Sequence, residues 1–248
     1  NNNFISIDGV LYTKDMKTLV QYPSGKTNSS FTMPSTITKL MSYSIAKNTH
    51  LQNVNLNEGL IEIGTNAFSS DTNLQKITIP STVTTIKKEA FYTTLVNDTI
   101  IIPKNVTSIG QGAFAGTGSK FVIENGNQNY KIINKCLVTM DGKTLINYPA
   151  FASEKTFTSP AGITIISEHA FSHAQYLQDI ILTNGVTEIQ LHSFAYSSPL
   201  QTITIPETTT TIANNITYAS LNITAIKGKT GSYAETWAKN NSFTFINI

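Results

Sequence analysis

QKITIPSTVTTIKKEAF, residues 75–91, is the phrase that decides the fold. Ile77 and Ile79 alternate with Thr78 ahead of Pro80, Val83 and Ile86 follow the proline, and Ala90-Phe91 closes the phrase. Alternation at period two sets Ile77 and Ile79 on one face of a short strand and Thr78 on the other. The phrase returns as QTITIPETTTTI at 201–212. Without the proline it returns as QNVNLNEGLIEIGTNAF at 52–68 and QDIILTNGVTEIQLHSF at 178–194.

Aligned on the proline slot, the anchor falls at Pro34, Asn57, Pro80, Pro103, Pro160, Thr183 and Pro206, each step being 23 residues except that from 103 to 160. Three residues later stand Ile37, Leu60, Val83, Val106, Ile163 and Val186, and six later Leu40, Ile63, Ile86, Ile109, Ile166 and Ile189. Eleven later stand Ile45, Phe68, Phe91, Phe114, Phe171 and Phe194. The seventh unit keeps Ile212 but has Thr209 in its first apolar slot. One such unit, two β segments and then a turn or short helix, cannot cover its own apolar side. Neighbours must therefore stack to close a shared core. At ~4.8 Å per strand step the expected product is a rod, with the Phe column as an aromatic spine.

Composition narrows the partners. Charged residues are 13 % of the chain, about half the roughly 25 % of an average domain, and the net charge is +2 without a basic cluster. That argues against nucleic acid and against an anionic membrane surface. The sequence has neither a run of ~18 apolar residues nor an opening signal pattern, so membrane insertion is not expected of these residues. The lone cysteine, Cys136, lies in the apolar run KCLV and reads as a small core side chain.

Residues 14–23, KDMKTLVQYP, have a near twin in MDGKTLINYP at 140–149, and residues 1–34 align without a gap to 127–160. A whole module has been duplicated. In the second copy β-like runs flank Asp141-Gly142, a two-residue hairpin signal; in the first, Met16 stands where the glycine would be. The expected organisation is one continuous solenoid. It comprises a hairpin insertion over 1–30, coils over 31–126, a second hairpin insertion over 127–156, coils over 157–226 and a C-terminal cap over 227–248. In the cap, Ser232 is placed to start a helix over 233–239 with Ala234, Trp237 and Ala238 on one side, and FTFINI reads as a last strand.

The L-x-x-I-x-I run before the anchor (Leu74, Ile77, Ile79; Leu200, Ile203, Ile205) is a leucine-rich-repeat phrase. With the V-T-x-I-G-x-x-A-F that follows, it resembles the BspA-type leucine-rich repeats of bacterial surface proteins over nearly the whole chain. D-G-K-T-L-x-x-Y-P hairpins between coils fit the same resemblance. One departure is that Asn48, Asp71, Thr94, Thr117, Ala174 and Ser197 stand where the family often has cysteine. The resemblance implies a right-handed repeat solenoid, mostly β with short helices or turns, of about seven 23-residue coils with two hairpin insertions and a helical cap. It also implies an extracellular or cell-surface location, reached through a signal outside these residues. Separately, the second insertion follows FVIEN, a strand of its own coil, and the duplication predicts the same before the first, hence further coils upstream of Asn1.

Candidate chemistry is thin. His169 and His192 share one slot of adjacent coils, and His173 lies four residues on in EHAFSHA beside Glu168. Imidazoles so placed are a weak metal candidate, since the slot reads as solvated and no HExxH is present. No nucleophile motif, glycine-rich phosphate loop or facing carboxylate pair stands out: Glu62, Glu89, Glu168 and Glu188 read as surface slots of separate coils. Neither an enzyme nor a cofactor is expected. The six N-x-S/T sequons, at Asn28, Asn97, Asn105, Asn215, Asn222 and Asn240, are as many as composition alone gives. The functional expectation falls on the outward residues of the first strand column: Thr32, Asn55, Lys76, Thr78, Ile101, Thr158, Asp179, Ile181 and Thr204. A continuous, nearly neutral ledge of this kind suits many weak hydrogen bonds to an extended protein or glycan. Ile101 and Ile181 would be its apolar footholds. The leading expectation is a surface binding module of the adhesin type for host matrix or cell-surface protein; a structural spacer and a glycan-capture module are the alternatives.

Overall fold

The computed structural model describes residues 2–96, 98–118 and 120–248. Asn1, where the duplicated module begins, and the sequon residue Asn97 lie outside the described residues. The chain forms two compact units, Asn1–Tyr130 and Lys131–Ile248.

In the first unit, Ser30–Thr32, Asn53–Asn55 and Lys76–Ile77 form one parallel sheet, and Thr99–Ile102 pairs with Lys120–Ile123 in another. A second column stacks Lys39–Leu40, Glu62–Ile63, Thr85–Ile86 and Ser108–Ile109. The second unit repeats the plan. Thr156–Thr158, Asp179–Ile181, Thr202–Thr204, Ala225–Gly228 and Phe245–Asn247 form the first column, beside Ile165–Ile166, Glu188–Ile189 and Thr211–Ile212 in the second. Pairing is in register at the repeat, Phe157 against Ile180 against Ile203 against Ile226. Among the described residues each unit thus has five rungs in its first column, ten in all against about seven coils expected. The three extra rungs, at Lys120, Ala225 and Phe245, lack the apolar slots after an anchor, because the chain leaves them for a meander, a helix or its end.

Of the two forms expected for the closing segment of each coil, a turn or a short helix, the structure has the turn. Among the described residues a helix occurs in the cap, Tyr233–Asn240. Each coil places two residues in the left-handed region, such as Asn66 (φ 54°) with Ser70 (63°), Glu89 (54°) with Thr93 (52°), and His169 (60°) with His173 (61°). This turns alternate amides toward the next coil: Asn66 N–H donates to Lys88 O at 3.0 Å, Phe68 N–H to Ala90 O at 2.8 Å, and Ser70 N–H to Tyr92 O at 2.9 Å. A left-handed non-glycine costs about 1–2 kcal/mol. The repeated intercoil bonds offset that cost. Between the bends the aromatic spine forms as expected, Phe68–Phe91 at 5.1 Å and Phe91–Phe114 at 5.4 Å, both with rings 4° from parallel.

The residue three past each Phe slot is buried and, apart from Ala174, polar, and it links coils. Ala174 N–H donates to Ser197 Oγ at 3.2 Å, Ser197 N–H to Ser220 Oγ at 2.8 Å, and Ser220 Oγ donates to Phe194 O at 2.6 Å. In the first unit Asp71 takes this place and accepts Asn48 N–H at 2.7 Å. Among the described residues its second oxygen, Oδ2, has no hydrogen-bond partner.

The duplicated insertion is more integrated than a hairpin. Phe4–Ile7, Val10–Thr13 and Thr18–Gln21 form a three-stranded antiparallel meander, and its last strand pairs in parallel with Lys39–Leu40. Leu19 and Leu145 are thereby buried in the Ile column, and Tyr148 stacks on Phe171 at 5.5 Å, standing in the Phe column. The twin phrase exists because K-T-L…Y-P supplies one coil's worth of core. Its turn is not the two-residue type expected from Asp-Gly. Thr13 and Thr139 each donate to the following Asp15 or Asp141 carboxylate at 2.6 Å, and residue 16 or 142 takes φ 55° or 75°. Those hydroxyl bonds, with the amide of Lys17 or Lys143, hold both carboxyls below their usual range. Met16 therefore occupies a left-handed position that Gly142 fills without strain. Met16→Gly is expected to stabilise the first unit by about 1 kcal/mol, a thermal midpoint roughly 2–4 °C higher. An unchanged midpoint in differential scanning calorimetry would contradict this.

The cap follows expectation closely. Ser232 Oγ accepts the Glu235 amide, Ala234, Trp237 and Ala238 are buried, and Trp237 stacks on Phe243 at 5.6 Å. Phe245–Asn247 then pairs with Ala225–Gly228 as the last rung.

Candidate functional site

Period-two alternation fixes the outward column of the first strands. Thr32, Asn55, Lys76, Thr78, Ile101, Thr158 and Ile181 are exposed, and Asp179 and Thr204 partly so. Ile101 is 53 % and Ile181 38 % exposed, values unusual for isoleucine in a regular strand. In-register stacking brings the residues together in groups: Thr32 beside Asn55, Ile101 beside Val122, and Thr158, Ile181, Thr204 and Lys227 in a row. The expected ledge is therefore not one uninterrupted sheet. Even within the first unit, Lys76–Ile77 and Thr99–Ile102 belong to different sheets.

A groove of about 280 Å³ lies on this face, lined by Asn53, Asn55, Glu58, Lys76, Thr78 and Pro80. Its rim offers carboxamide, ammonium and hydroxyl donors beside one carboxylate. Asn55 Nδ2 already donates to Thr32 Oγ1 at 3.3 Å, and Glu58 is held by Ser81 Oγ at 2.8 Å. The hydrogen-bonding groups are thus partly oriented before any partner arrives. In the second unit Thr202 Oγ1 donates to Asp179 at 2.5 Å in the same way.

The histidine slot differs from its sequence reading. His169 is buried and Glu168 largely so, where both were expected at a solvated surface. The His169 ring is covered by Ser172, which meets Nδ1 at 3.0 Å, and by His192 of the next coil. His169 and His192 are neighbours as register required, with ring centroids 5.2 Å apart. His173 turns aside and stacks on Tyr196 at 4.7 Å, and burial, with His169 nearby, pushes it down to about 4. Glu168 takes its place in the cluster. Around it lies an aromatic face that the strand pattern did not reveal: Tyr176, Tyr196 and Tyr218 are exposed, and Tyr196 and Tyr218 meet edge to face at 5.5 Å. The sequence signal that could have found it is Tyr196 and Tyr218 at neighbouring positions of consecutive repeats, just past the Phe slot. Cys136 is fully buried, and burial pushes its thiol up, as its apolar run suggested.

Two columns of short parallel strands, a turn column and an internal Phe stack define a leucine-rich-repeat solenoid. The sequence matches the BspA type leucine rich repeat region in six copies, over residues 24–141 and 144–247. The chain belongs to that family. The fold is similar to the pneumococcal vaccine antigen PcpA (17 % identity, TM-score 0.60, 99 % of this chain and 87 % of that one). It is also similar to a leucine rich cell surface protein from Faecalibacterium prausnitzii A2-165 (19 %, 0.62, 99 % and 86 %) and to a leucine-rich repeat protein from Bacteroides ovatus (17 %, 0.58, 99 % and 58 %). No curated protein matches the sequence. Among the described residues no helix is long and apolar enough to cross a membrane.

Proposed function

We propose that this chain is a cell-surface binding module of the adhesin type that engages an extended segment of a host matrix or cell-surface protein along its outward strand face. The observation that carries the reading is the groove at Asn53, Asn55, Lys76 and Thr78, where pre-oriented hydrogen-bonding side chains line a concave stretch of the ledge. A leucine-rich repeat presents such a face at every coil, so many weak contacts add along one partner. The surface location rests on the names of the similar structures, two of which are a vaccine antigen and a cell surface protein. A glycan partner is the second reading, favoured by the exposed Tyr176, Tyr196 and Tyr218 on the turn face.

Saturation binding to immobilised matrix proteins, plasma proteins and glycans separates the two. A Thr78→Asp, Ile101→Asp, Thr204→Asp variant with unchanged circular dichroism is expected to lose protein binding at least tenfold. Binding confined to glycans, retained by that variant and lost on Tyr196→Ala with Tyr218→Ala, would replace the protein reading with the second. If the panel binds nothing, the coils act as a spacer.

A further inference from the structure

We propose that Glu168, His169 and His192 form a binding site for one borderline divalent cation of the zinc, nickel or copper class, shared between adjacent coils of the second unit. Their ligand atoms all lie within 4.8 Å of one another. Ser172 Oγ donates to His192 O at 2.8 Å and meets His169 Nδ1 at 3.0 Å, so one hydroxyl ties the two imidazole-bearing coils together. Ser172 thus holds Nδ1, and Nε2 is the nitrogen that faces Glu168, 3.8 Å from its Oε1. Two imidazoles and a carboxylate, contributed by adjacent coils, are gathered in one place with His169 buried.

The spacing suits a metal. A cation bonded to a nitrogen and an oxygen at ~2.1 Å each sets them roughly 3.0–3.4 Å apart at octahedral or tetrahedral angles, so the 3.8 Å pair need close by only about half an ångström. His192 is partly exposed, and its ligand atom lies within 4.8 Å of the other two. Two imidazoles and one carboxylate favour zinc, nickel or copper over calcium or magnesium, which take oxygen donors. Ser172 plays the outer part usual at such sites, fixing the tautomer and orientation of a ligating histidine. Tyr218, 5.4 Å from His192, and Gln190, whose Oε1 accepts the Glu168 amide at 3.1 Å, border the cluster. Since His169 and His192 come from consecutive coils, a bound cation links them and favours the folded state.

The test is a titration of the tag-free full chain with zinc chloride, followed by calorimetry and by thermal midpoint. One equivalent is expected to bind and to raise the midpoint. His169→Asn and His192→Asn should each weaken binding at least tenfold; asparagine stands at the same left-handed slot as Asn66 and Asn215, so the backbone is kept. Ser172→Ala should cost about tenfold, and His173→Asn nothing. In the wild-type chain, zinc should shift the ring resonances of His169 and His192 and leave those of His50 unmoved, a readout independent of how the variants fold. Binding weaker than millimolar, or affinity and resonances indifferent to both histidines, overturns the proposal.

Discussion

Raising the pH from 4 to 8 is expected to lower the stability of the first unit by on the order of 5 kcal/mol, and Asp71→Ser to remove most of that slope. Asp71 fills a slot where its counterparts are hydroxyls, one amide and one alanine, all buried. Burial pushes its carboxyl up to about 8, while the amide of Asn48 pulls the other way and wins back only part. In the unfolded chain the same group titrates near 3.9. Below pH 4 both states hold the proton and the fold has its full stability. Between about 4 and 8 only the folded state holds it, so unfolding is favoured by up to 1.36 kcal/mol per pH unit, and the decline levels off above 8. Glu62 works with the opposite sign and in a lower window. Partial burial pushes it up, but Lys39 and Lys87, at 3.0 and 3.1 Å, more than offset this and hold it below its usual range. Its contribution is lost only as the solution becomes more acid than the ordinary carboxylate range.

Serine is the informative replacement because the structure already shows it working in that slot. Ser197 and Ser220 accept the amide of the preceding coil and donate to the carbonyl 26 residues back. Asp71→Ser should therefore keep the Asn48 bond and drop the charge. Denaturant unfolding at pH 4.5, 6 and 8, with hydrogen exchange to assign the change to the coils around residue 71, measures it. A variant that keeps the wild-type slope, or is no more stable than wild type at pH 8, would mean that Asp71 is ionised and solvated in the folded chain.

The core columns were legible in the sequence because each apolar slot recurs every 23 residues and stacking puts like on like; Ile86, Phe91 and Val83 lie where counting placed them. The count of coils fell short where a rung has no repeated apolar mark behind it. FVIEN and FTFINI read as strands, but like Ala225–Gly228 they lack the anchor phrase that follows a first strand elsewhere. The first strand of each meander, Phe4–Ile7 and Tyr130–Ile133, is more exposed than its partners and has no turn signal like Asp-Gly in the sequence before it. The left-handed slots are hidden for a different reason. Only in the coil anchored at Pro103 are both glycine, Gly112 and Gly116; elsewhere Asn, Glu, Ser, Thr, His, Tyr, Lys and Ala serve, held by intercoil bonds rather than by intrinsic preference. His169 was expected in solvent and is buried because Ser172 and His192 cover it, contacts that the repeat pattern does not mark. The outward ledge was readable from alternation alone, but its division into separate sheets depends on hydrogen bonds between strands.

Phe91→Ala tests how far each coil depends on its neighbours. Phe91 is 1 % exposed and lies between Phe68 and Phe114, its ring parallel to both. Truncation of a buried phenylalanine costs about 3–5 kcal/mol, and each aromatic pair lost adds ~0.5–1.5 kcal/mol. In a stacked array that loss falls on two interfaces at once, because a coil's stability is its own plus its contacts above and below. Phe194 offers the comparison. It stacks on Phe171 at 5.5 Å, but Thr217 occupies the Phe slot on its other side. Phe91→Ala should therefore cost about 1 kcal/mol more than Phe194→Ala, each measured within its own unit, while Phe91→Leu, which keeps most of the volume, should cost about 1.5 kcal/mol. Hydrogen exchange should further show the coils on either side of Phe91 opening separately once their shared ring is gone. Equal losses at Phe91 and Phe194 would assign the spine's contribution to burial alone and leave the parallel ring stacking as a consequence of the repeat, not a cause of its cohesion.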